Sequence, residues 1–406
     1  MKKLLFILLA VSLTANAYAI DLSAQVIGAF NAFGGTFNPN AFDQVGGDEH
    51  GRVRIEGSAE VDNFGGWFRL QGAFTIVDET DPTAEPVEVE RLGNTSVNAY
   101  GHIWYKPIDQ LAFYITKNPD GHWGLDGNAL WGFHGIAGDV FKTTDAASLD
   151  KFSYSGSLSS AGGALAVRPG FNSAFYGGFS DGAFVSITPI EILTINLGLP
   201  VFDEAKTGNM LLSATLQVVL NLGEKGTIGL TYAGDLNKKD VWDDASSLYL
   251  YFNTTIGKTV FDFGFGTKFA EKTDTRTINY PISLGAAAIF DLEKMDLKAR
   301  LLMSALGSTQ FSGDRKDENE PLEILAEIVP SFALTEKITA YLKGGLTVSV
   351  ADSGENRATF GIDLFPYIVF GDTDTVAFYT GFNLRNRDVA SDFITWSIPV
   401  GISINF

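Results

Sequence analysis

The chain has 406 residues, is rich in glycine (44) and phenylalanine (32), and contains no cysteine. Without cysteine it can form neither a disulfide framework nor a thiolate metal site. Its 48 acidic residues outnumber its 29 basic residues, for a net charge of −19, and this argues against nucleic acid as a partner.

The first predicted element is a secretory signal peptide over residues 1–19. Two lysines precede an apolar run from Leu4 to Leu13, and Ala17-Tyr-Ala19 supplies the small residues of a cleavage site. The apolar run is too short to cross a bilayer as a helix. We therefore expect an exported protein whose mature chain begins near Ile20.

From residue 20 onward, runs of alternating apolar and polar residues predict β-strands with one apolar and one polar face. Short connections, most of them containing Gly, Pro, Asn or Asp, alternate with longer polar ones. Short turns are predicted at Val61–Gly65, Lys106–Asp109, Thr188–Glu191, Gly223–Gly226, Gly257–Lys258, Leu292–Met295, Thr335–Lys337 and Gly371–Asp374. Long connections are predicted near 34–50, 78–93, 118–181, 200–209, 236–245, 270–277, 308–320, 351–356 and 388–392.

The last predicted strand, Ile394 to Phe406, carries an apolar residue at every second position and finishes on an aromatic residue. This pattern resembles the closing strand of bacterial outer-membrane β-barrels. The resemblance implies that Phe406 is an assembly signal read by the barrel-assembly machinery. It also implies a location in the outer membrane of a Gram-negative-type cell envelope, with lipid around the protein.

We predict an all-β fold in which residues 20–406 form a transmembrane antiparallel up-and-down β-barrel. The runs give about 18 strands, and 16 or 20 remain alternatives because 150–181 could hold another hairpin. A soluble β-sandwich would also alternate. Large apolar faces such as Phe261, Phe263 and Phe265 favour the membrane, as do aromatic residues near strand ends, which are typical of an interfacial girdle. The predicted girdle comprises Trp104, Tyr105, Tyr249, Tyr341, Tyr367 and Tyr379.

Charged residues whose position in the alternation is opposite to that of the apolar ones should face the lumen, because side chains alternate strictly along a strand. The predicted pore-lining residues are Arg52, Arg54, Glu56, Arg69, Asp262, Lys268, Lys298, Arg300, Glu323, Glu327, Lys343, Asp363 and Arg385. These charges could pair with neighbours and brace the wall, or they could set ion selectivity. Because basic residues outnumber acidic ones among them, the second interpretation predicts a mild preference for anions.

The long connection 118–181 is the predicted constriction or plug. Its first part, Asn118 to Gly135, is rich in glycine and aromatic residues, and exposed aromatic side chains are unfavourable in a loop. We expect it to fold into the lumen, although an extracellular cap packed on itself is an alternative. The residues predicted to line or plug the channel are Asp120, His122, Trp123, Asp126, Trp131 and His134.

The chain contains no H-E-x-x-H helix or phosphate-binding loop, and its single G-x-S-x-G match, Gly178–Gly182, lies at the end of the predicted connection 118–181 rather than at a strand-to-helix turn. We therefore expect neither an enzyme nor a cofactor or metal site. The predicted function is a porin-like channel for passive diffusion of small polar solutes, and homo-oligomers are compatible with the sequence. Two alternatives remain open: a transporter for hydrophobic substrates such as fatty acids, and a structural or adhesive surface barrel.

Overall fold

The computed structural model describes residues 20–38, 41–44, 49–81, 88–117, 133, 137, 140, 141, 182–201, 214–233, 245–270, 282–305, 322–350, 358–386 and 394–406. Among these residues, no helix has the length and apolar character needed to cross a membrane.

The described residues form one antiparallel sheet. Its strands are β1 (Ile20–Asn38), β2 (Ala41–Gln44), β3 (Glu49–Val61), β4 (Phe64–Asp81), β5 (Glu88–Ile108), β6 (Leu111–Lys117), β7 (Gly182–Ile190), β8 (Leu193–Leu199), β9 (Thr215–Asn221), β10 (Thr227–Ala233), β11 (Ala245–Ile256), β12 (Thr259–Ala270), β13 (Ile282–Leu292), β14 (Met295–Ala305), β15 (Leu322–Thr335), β16 (Ile338–Val350), β17 (Ala358–Gly371), β18 (Val376–Gly381), β19 (Asn383–Asn386) and β20 (Ile394–Asn405). A 3₁₀ turn, Gly223–Lys225, joins β9 to β10.

The sheet closes on itself because β1 pairs with β3 on one side and with β20 on the other. The short strand β2 pairs with the far end of β1. Strands β18 and β19 both pair with β17 and with β20, and together they make one strand of the wall, interrupted at Phe382. The wall therefore has 18 strands, which confirms the predicted antiparallel barrel and strand number.

The short turns occur where the sequence predicts them, whereas some strands continue further than predicted. Gly257, in the two-residue turn between β11 and β12, has a φ of 61°, a conformation that favours glycine. Strand β1 reaches Asn38, within the predicted connection 34–50, and β4 and β5 extend into 78–93. Backbone pairing continues there without an apolar face, so alternation alone underestimates the strand length.

The two faces of the wall differ in a way that a water-soluble protein does not tolerate. Large apolar side chains are exposed on the outer face, for example Leu301 (51%) and Ile328 (55%). Their strand neighbours Arg300 and Glu327 are buried on the inner face. Exposed apolar and buried charged residues suit a barrel whose outer face meets lipid and whose polar groups point inward.

Candidate functional site: the barrel interior

One side of the inner face carries a row of alternating charges, which we call the charged ladder. The Arg300 Nε–Glu327 Oε2 distance is 2.7 Å, and Lys343 Nζ lies 3.3 Å from Glu327 Oε1. Lys343 Nζ also lies 2.7 Å from Asp363 Oδ2, which Arg385 Nη2 approaches to 2.9 Å. Each carboxylate of the ladder therefore lies between two cations.

The register of β14 to β19 brings these five residues together. Arg300 is directly opposite Glu327, and Asp363 is directly opposite Arg385. Between the two carboxylates stands Gly345, which is opposite both of them. Because Gly345 has no side chain, the ammonium group of Lys343, two residues away on the same strand, can reach across to both carboxylates.

The ladder is shielded from water. The side chains of Lys343 and Glu327 are 2% and 1% exposed. Buried charges need partners, since leaving one unpaired in a low-dielectric interior costs several kcal/mol. Its five members are all predicted pore-lining residues, and their geometry is that of a brace across five strand segments.

A second charged region on β3 and β4, which we call the arginine face, has a looser arrangement. Arg54 donates two hydrogen bonds to Gln71 Oε1, at 3.1 and 3.0 Å, and Arg69 Nε lies 2.6 Å from Glu56 Oε1. Arg52 donates to Gln25 Oε1 at 2.7 Å. Among the described residues, the contacts of the three arginines thus include one glutamate and two neutral amides.

Water reaches the arginine face. The side chains of Arg54 and Glu56 are 24% and 25% exposed, although Arg52 is buried. Asn98, which is opposite Gln71 and shares its side of the wall, is exposed. This stretch of the inner face therefore borders open lumen.

Neutral polar groups cover another part of the inner face. The Asn196 amide donates to Gln217 Oε1 at 2.8 Å, and the Gln217 amide donates to Thr231 Oγ1 at 3.3 Å. On the next strands, Asp262 accepts hydrogen bonds from the Tyr251 hydroxyl, at 3.1 Å, and from the Asn253 amide. Asp262 is the predicted pore-lining residue here, and its described hydrogen-bond donors are these two neutral groups.

Part of the long connection 118–181 lies against the inner face. Its described residues, Phe133, Ala137, Val140 and Phe141, are all buried, and we call them the inner segment. The Phe141 amide donates to the Ala137 carbonyl at 2.9 Å, which makes one helical turn.

The inner segment packs against two patches of the wall. Phe133 contacts a cluster from β13, β14 and β15, and the guanidinium of Arg300 stands 4.4 Å from the centre of its ring. The other three residues pack into a larger cluster from β1, β17 and β18. A side chain at Gly401 would collide with Val140, so this glycine makes room for the segment. The wall residues of the second cluster are Ile27, Ala29, Phe365, Tyr367, Val369, Ala377 and Tyr379.

A cavity of about 170 Å³ lies between the inner segment and the wall, towards the short turns. Lys298 reaches into it and donates a hydrogen bond to the Phe133 carbonyl at 3.2 Å. Three tyrosines also line it, and two of them, Tyr341 and Tyr367, stack with their ring centres 4.6 Å apart.

The tyrosines correct one sequence interpretation. Tyr341, Tyr367 and Tyr379 were predicted as a girdle at the membrane surface, but Tyr367 and Tyr379 are buried inside the barrel and Tyr341 packs against them. The alternation pattern of the sequence already placed these tyrosines on the inner face. Each lies an even number of residues from an inner-face charge on the same wall strand, and these charges are Lys343, Asp363 and Arg385, in the order of the tyrosines. The alternation rule identifies them once it is applied to aromatic residues as well.

Several predicted residues lie outside the part of the chain that the structure describes. Those of the predicted constriction are Asp120, His122, Trp123, Asp126, Trp131 and His134. The side chains of Lys268 and Glu323 are also outside it, although their strands are described. The same applies to the signal peptide 1–19 and to the alternative hairpin in 150–181.

Comparisons with known proteins show the fold. No family model matches the chain, and no curated protein is similar to it in sequence. Three similar solved structures are a BenF-like porin from Pseudomonas fluorescens Pf-5 (TM-score 0.54, 8% identity, 96% of this chain and 99% of that one), OpdL from Pseudomonas aeruginosa (0.53, 6%, 96% and 99%) and OccAB4 from Acinetobacter baumannii (0.52, 9%, 95% and 98%). The chain therefore has the fold of an outer-membrane porin barrel, closed and antiparallel with 18 strands.

Proposed function

We propose that this protein is a non-enzymatic, porin-like channel in the outer membrane, through which small polar solutes diffuse passively. The observation that carries the proposal is the inversion of the two faces of a closed wall: apolar outside, polar and charged inside. Such a wall is stable in lipid and encloses a polar interior. The charged groups on the inner face also argue against a pathway for fatty acids, which would need an uncharged, apolar lumen.

Selectivity is assigned to the arginine face rather than to the charged ladder. In the ladder each carboxylate lies between two cations and the centre is shielded, whereas Arg54 and Glu56 are more exposed, and Glu56 contacts both Arg54 and Arg69. A fixed positive charge beside a narrow aqueous path raises the local concentration of anions. The expected result is a mild anion preference.

The inner segment is assigned the role of narrowing the lumen. It contacts inner-face residues of β1, β13, β14, β15, β17 and β18, and therefore occupies space that would otherwise be open. The rest of the connection 118–181, with the six constriction residues of the sequence prediction, belongs to this proposal. Recognition of Phe406 by the barrel-assembly machinery and a homo-oligomeric state stay predictions.

The proposal is tested by reconstituting the mature protein in planar lipid bilayers. We expect discrete conductance steps and, in a salt gradient, a reversal potential on the anion-selective side. Deleting residues 121–135 should raise the single-channel conductance. A barrel that inserts and never conducts would instead support the structural or adhesive alternative, and clear cation selectivity would reject the role of the arginine face.

A further inference from the structure

Lys298 differs from the other described cations of the inner wall. The ladder cations each contact a carboxylate, and Arg69 contacts Glu56. Lys298 has one hydrogen bond, to the Phe133 carbonyl, and forms no ion pair with any described residue. Asp296 lies two positions away on the same strand and does not approach within ion-pair distance. Lys298 is therefore a partly buried cation beside a cavity, and the charge of Asp296 acts on it only from beyond ion-pair distance.

The remaining walls of the cavity offer two kinds of surface. Hydroxyl groups come from three tyrosines and from Ser331 and Thr373, whereas Val329, Val369, Ala137 and the ring of Phe133 are apolar. The Tyr341 hydroxyl makes no hydrogen bond to the described residues, whereas the Tyr379 and Ser403 hydroxyls form one hydrogen bond at 3.2 Å. The cavity is thus lined by one cation, by a tyrosine hydroxyl that can still donate a hydrogen bond, and by apolar side chains.

We propose that this cavity is a binding subsite for a small organic anion, with its charged head on Lys298 and Tyr341 and its short apolar body against the two valines. A volume of about 170 Å³ has the room of roughly five water molecules, which fits a solute of a few carbon atoms. A hydrogen bond between a cation and an anion contributes more than one between neutral groups, so the charge of the solute decides the affinity.

The position of the subsite gives it a role within the proposed channel, on which this inference rests. It lies between the inner segment and the short turns of the wall. A solute that passes the inner segment reaches Lys298 before it leaves the barrel at the short-turn side. The subsite would hold anions at that end of the path, in series with the attraction exerted by the arginine face.

The test is a ligand-observed NMR titration of the mature, refolded protein in detergent, with butyrate as the probe and neutral butyramide as its matched control. Butyrate should bind about tenfold more tightly than butyramide, and Lys298→Met should remove that advantage. Lys298→Arg should keep it. Lys294→Met makes the same charge change in the exposed β13–β14 turn and should leave binding unchanged.

Equal binding of butyrate to Lys298→Met and to Lys294→Met would overturn the subsite, as would equal binding of butyrate and butyramide to the unaltered protein. If Lys298→Met fails to fold, Tyr341→Phe replaces it, because it removes one hydroxyl at nearly constant volume and should weaken butyrate by about threefold. Binding in detergent does not require conduction. A barrel that binds butyrate but does not conduct would refute the channel and support the subsite. A barrel that conducts but does not bind butyrate would support the channel and refute the subsite.

Discussion

The charged ladder and the arginine face are built from the same kinds of residue on the same inner wall, yet they differ in hydration and in charge balance. In the ladder, three cations alternate with two carboxylates, and the central Lys343 and Glu327 are shielded from water. On the arginine face, the described partners of three arginines include one carboxylate and two amides, and water reaches Arg54 and Glu56. The first arrangement favours mechanical bracing, and the second favours an electrostatic effect on solutes.

The difference shows that the formal charge of an inner-face residue does not indicate its role. In a buried row, opposite charges that lie side by side compensate each other locally, and breaking the row leaves an unpaired charge. A hydrated, unbalanced cluster contributes little to stability and retains its field. Substitutions in the two regions should therefore affect different measurable properties.

The largest expected effect is that of Glu327→Gln in the ladder. This substitution removes the carboxylate that Arg300 and Lys343 share, and the free energy of unfolding of the barrel should fall by about 3–5 kcal/mol. The measurement is the unfolding midpoint in urea with lipid vesicles. Glu56→Gln on the arginine face is the matched control and should cost at most about 1 kcal/mol. Equal losses at the two sites would abolish the distinction between the regions.

The second expected effect concerns the inner segment that packs beside the ladder. Phe141→Ala removes a fully buried ring from the cluster with Phe365, Tyr367 and Tyr379, a change that typically costs about 3–5 kcal/mol. That cost falls on the docking of the segment, so we expect larger or noisier single-channel currents. Phe378→Ala on the exposed outer face of β18 is the control and should leave the current unchanged.

The third expected effect is on selectivity. Replacing Arg54 and Arg69 with Gln should move the reversal potential in a salt gradient towards cations, with a stability change within about 1 kcal/mol. Lys258→Gln, which removes one charge in the exposed β11–β12 turn, serves as the control for net charge. An unchanged reversal potential would assign the selectivity to another part of the lumen.

The smallest expected effect is that of Gly345→Ala. A Cβ at this position would lie 3.5 Å from Asp363 Cβ, an ordinary contact, so stability should change by no more than about 1 kcal/mol. Gly345→Leu is the informative partner, because its side chain occupies the space through which Lys343 reaches its carboxylates. If the leucine variant is as stable as the alanine variant, the gap is not what positions Lys343.

The sequence predicts the fold well because alternation is a local property. The lipid-facing side chain at every second position and the short turns with Gly or Asp report directly on a barrel wall, as β12 and its turn from β11 illustrate. Lengths are less well predicted, since β4 continues to Asp81 by backbone pairing without an apolar face.

The interior is only half predictable. Alternation identifies Arg300, Glu327 and Lys343 as inner-face residues. Whether they pair depends on the register between strands, which the local pattern does not determine. Lys343 is directly opposite Phe365, and it meets its carboxylates diagonally because Gly345 leaves a gap. The docking of Phe133 and Phe141 is harder still, because an irregular segment has no period that points to its partners.

The pairing of β1 with β20 has a consequence for how the wall forms. Gln25 donates to Asn405 at 2.9 Å across 380 positions of sequence, while its carbonyl oxygen accepts from Arg52. Closing a flexible loop of that length costs about 5 kcal/mol of chain entropy. All other wall pairings join neighbouring hairpins or strands a loop apart, so this pairing closes the longest loop of the wall. We expect the pairing of β1 with β20 to set the rate at which the barrel closes. Gln25 takes part in that pairing and also contacts Arg52 of the arginine face.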